Sequence, residues 1–288
     1  MNRCILTTLL TILFIVEISA QEQNVITFQV GEATISLLSE GQSNSSTNNL
    51  IGATPEILKK YAPDGNCPSA CNAFLVQING KKILIDTGFG RNLFKNIESL
   101  GLNVEQIDAV ILTHMHRDHI GGLLRDEKAA FPKAELCVAQ SEYDYWTEDE
   151  RKNSVGTIFE AYGKKLKLFT PASSPENQNV NIHGLKPLAA FGHTPGHTAF
   201  LIESGDARLL VWGDLTHAMA VQMPHPEVAI TYDVNPEQAI ASRKKILEYV
   251  SKNKIPVAGM HIAYPAVGDV KSLNGRYEFT PFCTCLGI

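Results

Sequence analysis

No basic stripe runs through this sequence. Its 25 lysines and arginines are outnumbered by 30 aspartates and glutamates, for a net charge of −5. Polynucleotide binding depends on clustered positive charge that releases counterions, so nucleic acid is excluded as the expected partner. Cysteine is scarce, with six in 288 residues, far below the density of a disulfide-built scaffold. Long hydrophobic runs are missing as well. The longest, Ile5 to Val16, ends at Glu17, short of the roughly 20 residues a membrane-spanning helix needs. Linker-like tracts and internal repeats are also lacking, which leaves one domain over 21–288 as the expected organisation.

The N-terminal run has a different reading. Arg3 supplies a positive charge, an apolar stretch follows, and Ile18-Ser19-Ala20 offers small residues before Gln21. That pattern predicts a signal peptide over 1–20, a chain working in the periplasm or secreted, and no stable membrane insertion after cleavage. Cys4 lies too early in it to become a lipid anchor. Five cysteines then remain: Cys67, Cys71, Cys137, Cys283 and Cys285. In an oxidising compartment Cys67 and Cys71 can pair, and the odd count leaves a free thiol. Cys137 sits in an apolar run and reads as a small buried hydrophobe. Cys283 and Cys285 are too close for an easy mutual bond.

With 44% hydrophobic residues the chain can bury a full core. Val25–Gln29 with Thr34–Leu38, and Phe74–Ile78 with Lys82–Ile85 about Asn79-Gly80, read as β-hairpins. So does Ala199–Glu203 with Arg208–Trp212. Gly41 to Asn49 and Cys67 to Cys71 read as loops. Helices are expected after Thr54-Pro55, over Asn92–Leu100, from Ser141 with Asp144 as a capping box, over Ser154–Tyr162, and over Pro236–Lys252 behind Asn235. Many strands with inserted helices, in two successive rounds, predict an α/β (α+β) protein with two sheets between helices.

Against this background one stretch is chemically dense. After the apolar run Ala109–Leu112 come His114, His116, Asp118 and His119, followed by Gly121-Gly122. Imidazoles and a carboxylate this close repel or titrate unless a cation satisfies them. Three more strand-like segments run up to His193, Asp214 and His261. Strand ends at one edge of a sheet converge, and an open His/carboxylate set is the pattern of catalytic zinc. The count divides into two ions: His114, His116 and His193 for one, Asp118, His119 and His261 for the other, with Asp214 bridging. Two such ions can share and activate a hydroxide. Zinc is the expected metal, with manganese or iron(II) also accepted by these donors.

The set His-x-His-x-Asp-His, Gly-His-Thr-Pro-Gly-His over 192–197, Gly213-Asp214 and a late His261 resembles the metallo-β-lactamase-fold superfamily. The resemblance implies an αββα sandwich of two mixed sheets with the metals at one edge, and Asp86 of Ile85-Asp86-Thr87-Gly88 beside them. Asp214 argues against a true β-lactamase. A thioester hydrolase of the glyoxalase II type would carry a longer helical region after the last histidine. N-acyl homoserine lactonases typically have tyrosine where His217 stands. The segments 212–217, 221–224 and 261–265 are more similar to the methyl parathion hydrolase branch, associated with phosphotriesters, aryl esters and lactones.

The expected function is therefore a dinuclear-zinc hydrolase in which a bridging hydroxide attacks an ester-type bond. Asp118 or Asp214 handles the proton, and His217 either touches the substrate or acts from behind the ligands. A small-molecule sensor on the same fold and a glyoxalase II-type thioesterase are the alternatives; a diiron oxidoreductase is disfavoured by His116. His197 is expected to make a structural hydrogen bond, and His183 and His225 to be exposed loop residues. Phe89, Trp146 and Phe159 fit a pocket wall or the core equally. The partner is a small ester or lactone, and homodimer formation is left open.

Overall fold

The computed structural model describes residues 24–174 and 180–282. The expected signal peptide over 1–20 and the pair Cys283 and Cys285 lie outside the described residues. The first sheet takes its seven strands in chain order: β1 (Val25–Val30), β2 (Ala33–Ser46), β3 (Asn66–Ile78), β4 (Lys81–Ile85), β5 (Ala109–Ile111), β6 (Glu135–Ala139) and β7 (Leu166–Phe169). The second has six: β8 (Leu185–Ala189), β9 (Thr198–Ser204), β10 (Ala207–Val211), β11 (Val257–Ala258), β12 (Val267–Leu273) and β13 (Arg276–Pro281). Both sheets are mixed. The pairs β4–β5, β5–β6, β6–β7 and β10–β11 are parallel, and the remaining neighbours run antiparallel. This is the two-sheet architecture that the resemblance implies.

The strand sequences explain the layering. In Ile83-Leu84-Ile85 and Ala109-Val110-Ile111 every residue is apolar and buried, as strands covered on both faces require. Ile83, Ile85, Ala109 and Ile111 point inward against Phe200, Leu210 and Trp212 of the second sheet. Leu84 and Val110 point outward to Leu93 and Ile97 of α1 (Leu93–Ser99) and to Val155 and Ile158 of α2 (Lys152–Tyr162). The helix α3 (Pro236–Asn253), capped by Asn235, covers the second sheet with Ile246, Leu247 and Val250. Among the described residues no helix is long and apolar enough to cross a membrane.

Three expectations fail. Gly41 to Ser46 is a continuation of β2 rather than loop, paired residue by residue with Cys71 back to Asn66. Its Ser/Asn composition signals a turn locally, but the ladder supplied by β3 overrides that preference. Cys67 and Cys71 consequently lie on one strand, and both are free thiols. Four residues of extended chain separate their Cα atoms by about 13 Å, beyond the reach of a disulfide. Finally, the helix at Ser141 starts at Gln140 with no side-chain cap, and Asp144 accepts a 2.7 Å bond from the Gln140 amide instead.

Gly121-Gly122 packs beneath the histidine-rich segment as expected. A Cβ on Gly121 would stand 2.7 Å from the Cα and carbonyl oxygen of Phe89. Those neighbours are backbone and cannot rotate away. The substitution Gly121→Ala is expected to cost about 1–3 kcal/mol by overpacking, read in thermal unfolding as a Tm lower by several degrees.

Candidate metal centre

The parallel pairs aim their C-terminal ends at one edge of the sandwich. Strand β4 leads into Asp86 and its partner β5 runs into Thr113 and His114. Strand β10 leads to Asp214 and its partner β11 to His261. His193 comes from the connection between β8 and β9. His116 is still extended and caps a single helical turn, Arg117–Ile120, which swings Asp118 and His119 back toward His114. All seven expected ligands therefore meet. His114 Nε2, His116 Nδ1 and His193 Nε2 cluster, with 3.0 Å between the first two and 2.9 Å between the last two. Asp118, His119 and His261 form the neighbouring group, and Asp214 stands between them. Its Oδ2 lies 3.0 Å from His261, 3.3 Å from His193 and 3.6 Å from His114; its Oδ1 lies 3.2 Å from His119.

Whether these residues suit a cation can be tested on their protons. His119 Nδ1 lies 2.7 Å from the Asp86 carboxylate, His193 Nδ1 2.9 Å from Asp233, and His261 Nδ1 2.8 Å from the Ala70 carbonyl. Each outer partner is an acceptor and fixes the N–H there, so in the neutral ring the Nε2 lone pair faces inward. Three lone pairs and two carboxylates converging in a buried volume are unfavourable without positive charge. His119 Nε2 and Asp214 Oδ1 are buried and make no hydrogen bond, even to each other. The donor set fits divalent metal binding. With protons alone, the histidines split. Burial opposes the charge on His261, but Asp214 and Asp118 override it and hold its pKa up at about 10. Burial and His193 push His116 down to about 3.

His217 is brought to the same place. Its Nε2 is 3.0 Å from Asp214 Oδ2 and its ring stacks on His261 at 4.9 Å, while Nδ1 has no partner. Burial lowers its pKa to about 4, which leaves it neutral. His197 makes the expected structural bonds: Nδ1 donates to the Ala190 carbonyl at 2.8 Å, and Nε2 accepts from the Asp214 backbone N–H at 2.9 Å. Burial keeps it neutral, with a pKa of about 3. His183 and His225 are half-buried rather than exposed.

Above the candidate donors is a cavity of about 510 Å³. Ser43 and Ser45 of β2 and Ser69, Ala70 and Cys71 of β3 form one wall, with Phe89, Arg117 and Tyr232 also lining it. Of the three uncertain aromatics, Phe89 belongs to this wall. The Trp146 ring lies edge-on to His116 at 5.8 Å, and Phe159 packs on Tyr143.

Three buried charges escaped the sequence reading. Glu142 accepts from Met115 N–H at 2.9 Å, Trp146 Nε1–H at 2.6 Å, Thr194 Oγ1–H at 2.7 Å and Gly196 N–H at 2.9 Å. It ties the two ligand-bearing loops together. Burial raises its pKa, and the four donors act against that rise. Asp233 orients His193. Arg243 of α3 donates to the carbonyls of Leu215, Pro226 and Val228 at 2.7, 3.0 and 2.7 Å, fixing the loop that carries Asp214 and His217. Their local signals are those of ordinary solvated charges: Glu142 lies among polar helix residues and Arg243 precedes Lys244-Lys245.

A model of the Metallo-beta-lactamase superfamily matches residues 68–254. The N-acyl homoserine lactonase AttM of Agrobacterium fabrum is 26% identical over 175 residues, covering 57% of this chain and 62% of AttM. Ribonuclease Z of Methanopyrus kandleri is 29% identical over 138 residues, 48% of this chain and 37% of the relative. The chain thus spans less than two thirds of the length of these two curated relatives. Two solved structures align more fully. The hydrolase AbOPH, in the beta lactamase superfamily, superposes with a TM-score of 0.80 at 29% identity over 91% of this chain and 99% of that one. AidC, described as a dizinc quorum-quenching lactonase in complex with a product, gives 0.81 at 26% identity over the same shares.

Removing the acceptor behind one ligand tests the lone-pair argument. Asp233→Ala frees His193 to rotate and change tautomer. It is expected to weaken zinc binding by about 10–100-fold, measured by competition with a chromophoric chelator, while far-UV circular dichroism stays unchanged.

Proposed function

The chain belongs to the metallo-beta-lactamase superfamily, and from that premise we propose that it is a two-metal hydrolase opening an ester-type bond in a small molecule. The substrate class is a lactone, an aryl ester or a phosphotriester, and the metal is zinc. The observation that carries this reading is the joining of two donor clusters through Asp214 at the base of the cavity. His114, His116, His193 and Asp214 would hold one ion; Asp118, His119, His261 and Asp214 would hold the other. When bound, such a pair activates water as the nucleophile and polarises the oxygen under attack.

The protein's own groups do the rest. Asp118 is the more exposed of the two carboxylates, 24% against 2% for Asp214, and takes up the proton that the attacking water gives away. Asp214, sealed and surrounded by imidazoles, keeps its charge and fixes the spacing of the clusters. His217 presents a neutral imidazole beside the substrate's leaving oxygen. Phe89 and Tyr232 give the substrate apolar surface, and Ser43, Ser45 and Ser69 give it neutral hydroxyls. Among the described residues Arg117 is the lone arginine or lysine of the lining, which favours a compact uncharged ester over a polynucleotide, despite the ribonuclease relatives. The alignment with a lactonase over 91% of the chain supports the same substrate class. The pattern of residues 1–20 supports action in the periplasm or outside the cell.

The test is a panel of lactones, aryl esters, phosphotriesters and RNA on the purified full chain, with metal content measured in parallel. At least two metals per chain are expected. Turnover of at least one ester class should be abolished by chelation and restored by zinc. Asp118→Asn should lower kcat by roughly 100-fold or more, while His217→Tyr should alter the ranking of substrates and leave metal content intact. Turnover that persists without metal, or cleavage confined to RNA, overturns the assignment.

A further inference from the structure

A second convergence of metal-binding atoms lies away from the cavity. Glu135 and Cys137 stand two apart on β6 and therefore face the same way. His183 sits in a tight turn closed by hydrogen bonds between Ile182 and Leu185, N–H to O in both directions at 2.8 and 2.9 Å, just before β8. Its backbone is left-handed, with φ of 53°, uncommon for a residue with a side chain. This conformation accompanies a ring directed across to the other sheet, with Nε2 2.9 Å from Glu135 Oε2. The ligating atoms of Glu135, Cys137 and His183 all lie within 4.8 Å of one another.

The place is distinct from the candidate catalytic centre. Strands β5 and β6 run parallel, with Ala109 opposite Glu135 and Ile111 opposite Cys137. Glu135 therefore marks the end of β6 opposite to the one near which Thr113 and His114 leave β5. Cys137 is 2% exposed and belongs to the core between the sheets. The side chains of His183 and Glu135 are 23% and 39% exposed and form the solvent side. The neighbouring cation, Lys167 of β7, pairs with Glu135 at 3.9 Å and is 52% exposed, so it can turn to water when the carboxylate is claimed.

We propose that Cys137, His183 and Glu135 form a third metal site, for zinc, that clasps the first sheet to the second. One sulfur, one imidazole nitrogen and one carboxylate oxygen suit a borderline cation such as zinc and not magnesium or calcium, and water completes the tetrahedron. On binding, the Cys137 S–H bond breaks, its proton leaves to solvent, and the sulfur's electron pair forms the bond to zinc. Because β6 and the β8 turn belong to different sheets, the ion braces the sandwich where its two layers meet.

Cobalt(II) substitution of the full chain tests this, because a thiolate–cobalt bond gives a near-ultraviolet charge-transfer band that His and Asp ligands do not. The candidate catalytic donors contain no cysteine, so a band that disappears in Cys137→Ser reports the third site whether or not the hydrolase assignment stands. The band is expected in the unmodified chain, retained in Cys71→Ser and lost in Cys137→Ser. His183→Ala, on a half-exposed turn and so the safer variant for folding, should weaken the cobalt that gives the band at least tenfold. Zinc should raise the Tm of the unmodified chain more than that of His183→Ala. Absence of the band in the unmodified chain, its survival in Cys137→Ser, or full-strength binding in His183→Ala overturns the proposal.

Discussion

The Asp214 carboxylate is the point on which the rest of the structure depends. It is almost fully buried, and a buried carboxylate left without compensation costs several kcal/mol. Here its two oxygens stand within 3.6 Å of nitrogens from five histidines: His114, His119, His193, His217 and His261. Those histidines come from four separate chain segments, so the charge can be satisfied only when the segments are correctly assembled. Its own position is set from behind. His197 accepts its backbone N–H, and Arg243 holds the carbonyl of the next residue, Leu215. A fully buried arginine spent on backbone carbonyls marks how tightly this loop is fixed.

The same logic extends outward. Three of the inward-facing imidazoles are each held by a group one step further from the centre: Asp86 behind His119, Asp233 behind His193, the Ala70 carbonyl behind His261. Asp86 also accepts from the backbone N–H and the hydroxyl of Thr113 at 2.7 and 2.6 Å. The end of β4 is thereby locked to the end of β5. Glu142 joins the first histidine loop to the one over 192–197. These supports are buried polar groups with their partners present, so they rigidify the site instead of weakening the core. The convergence of the two donor clusters therefore rests on the alignment of two sheets, and a shift of one layer against the other would disturb both together.

What was legible in the sequence follows from this arrangement. Candidate donors placed directly after short apolar strands are readable, because the strand and the donor are adjacent in the chain. His114 after Ile111-Leu112, Asp214 after Val211-Trp212 and His261 after Val257-Ala258 all belong to this group. Asp86 was reached through the family resemblance for the same reason. The polar supports Glu142, Asp233 and Arg243 were not readable, because what makes them unusual is burial created by distant segments. The ribbon of β2 and β3 failed for a related cause. Ser43, Asn44 and Ser45 have the composition of a loop, and only the facing residues of β3 make them a strand. That error carried over to Cys67 and Cys71, which a loop would have allowed to meet.

The ribbon also explains why the metal motif says so little about substrate. The candidate donors occupy strand ends fixed by both sheets, whereas the cavity wall comes from Ser43, Ser45 and Ser69 on an extension beyond the shared core. Tyr232 completes the lining, its hydroxyl held by the Asn49 amide at 2.6 Å, next to the small ribbon in which Leu50 pairs with Ile230. Two of these wall residues reach the Asp214 network, Ser69 by donating to the His261 carbonyl at 3.3 Å and Tyr232 by its ring lying edge-on to His217 at 6.0 Å. Ser43 and Ser45 line the cavity from the ribbon and belong to neither donor cluster, so this part of the wall and the donors come from separate parts of the chain. His217 is tied in most closely: it lines the cavity, lies 3.0 Å from Asp214 and stacks on His261, so a change there reaches the donor cluster and the cavity wall together.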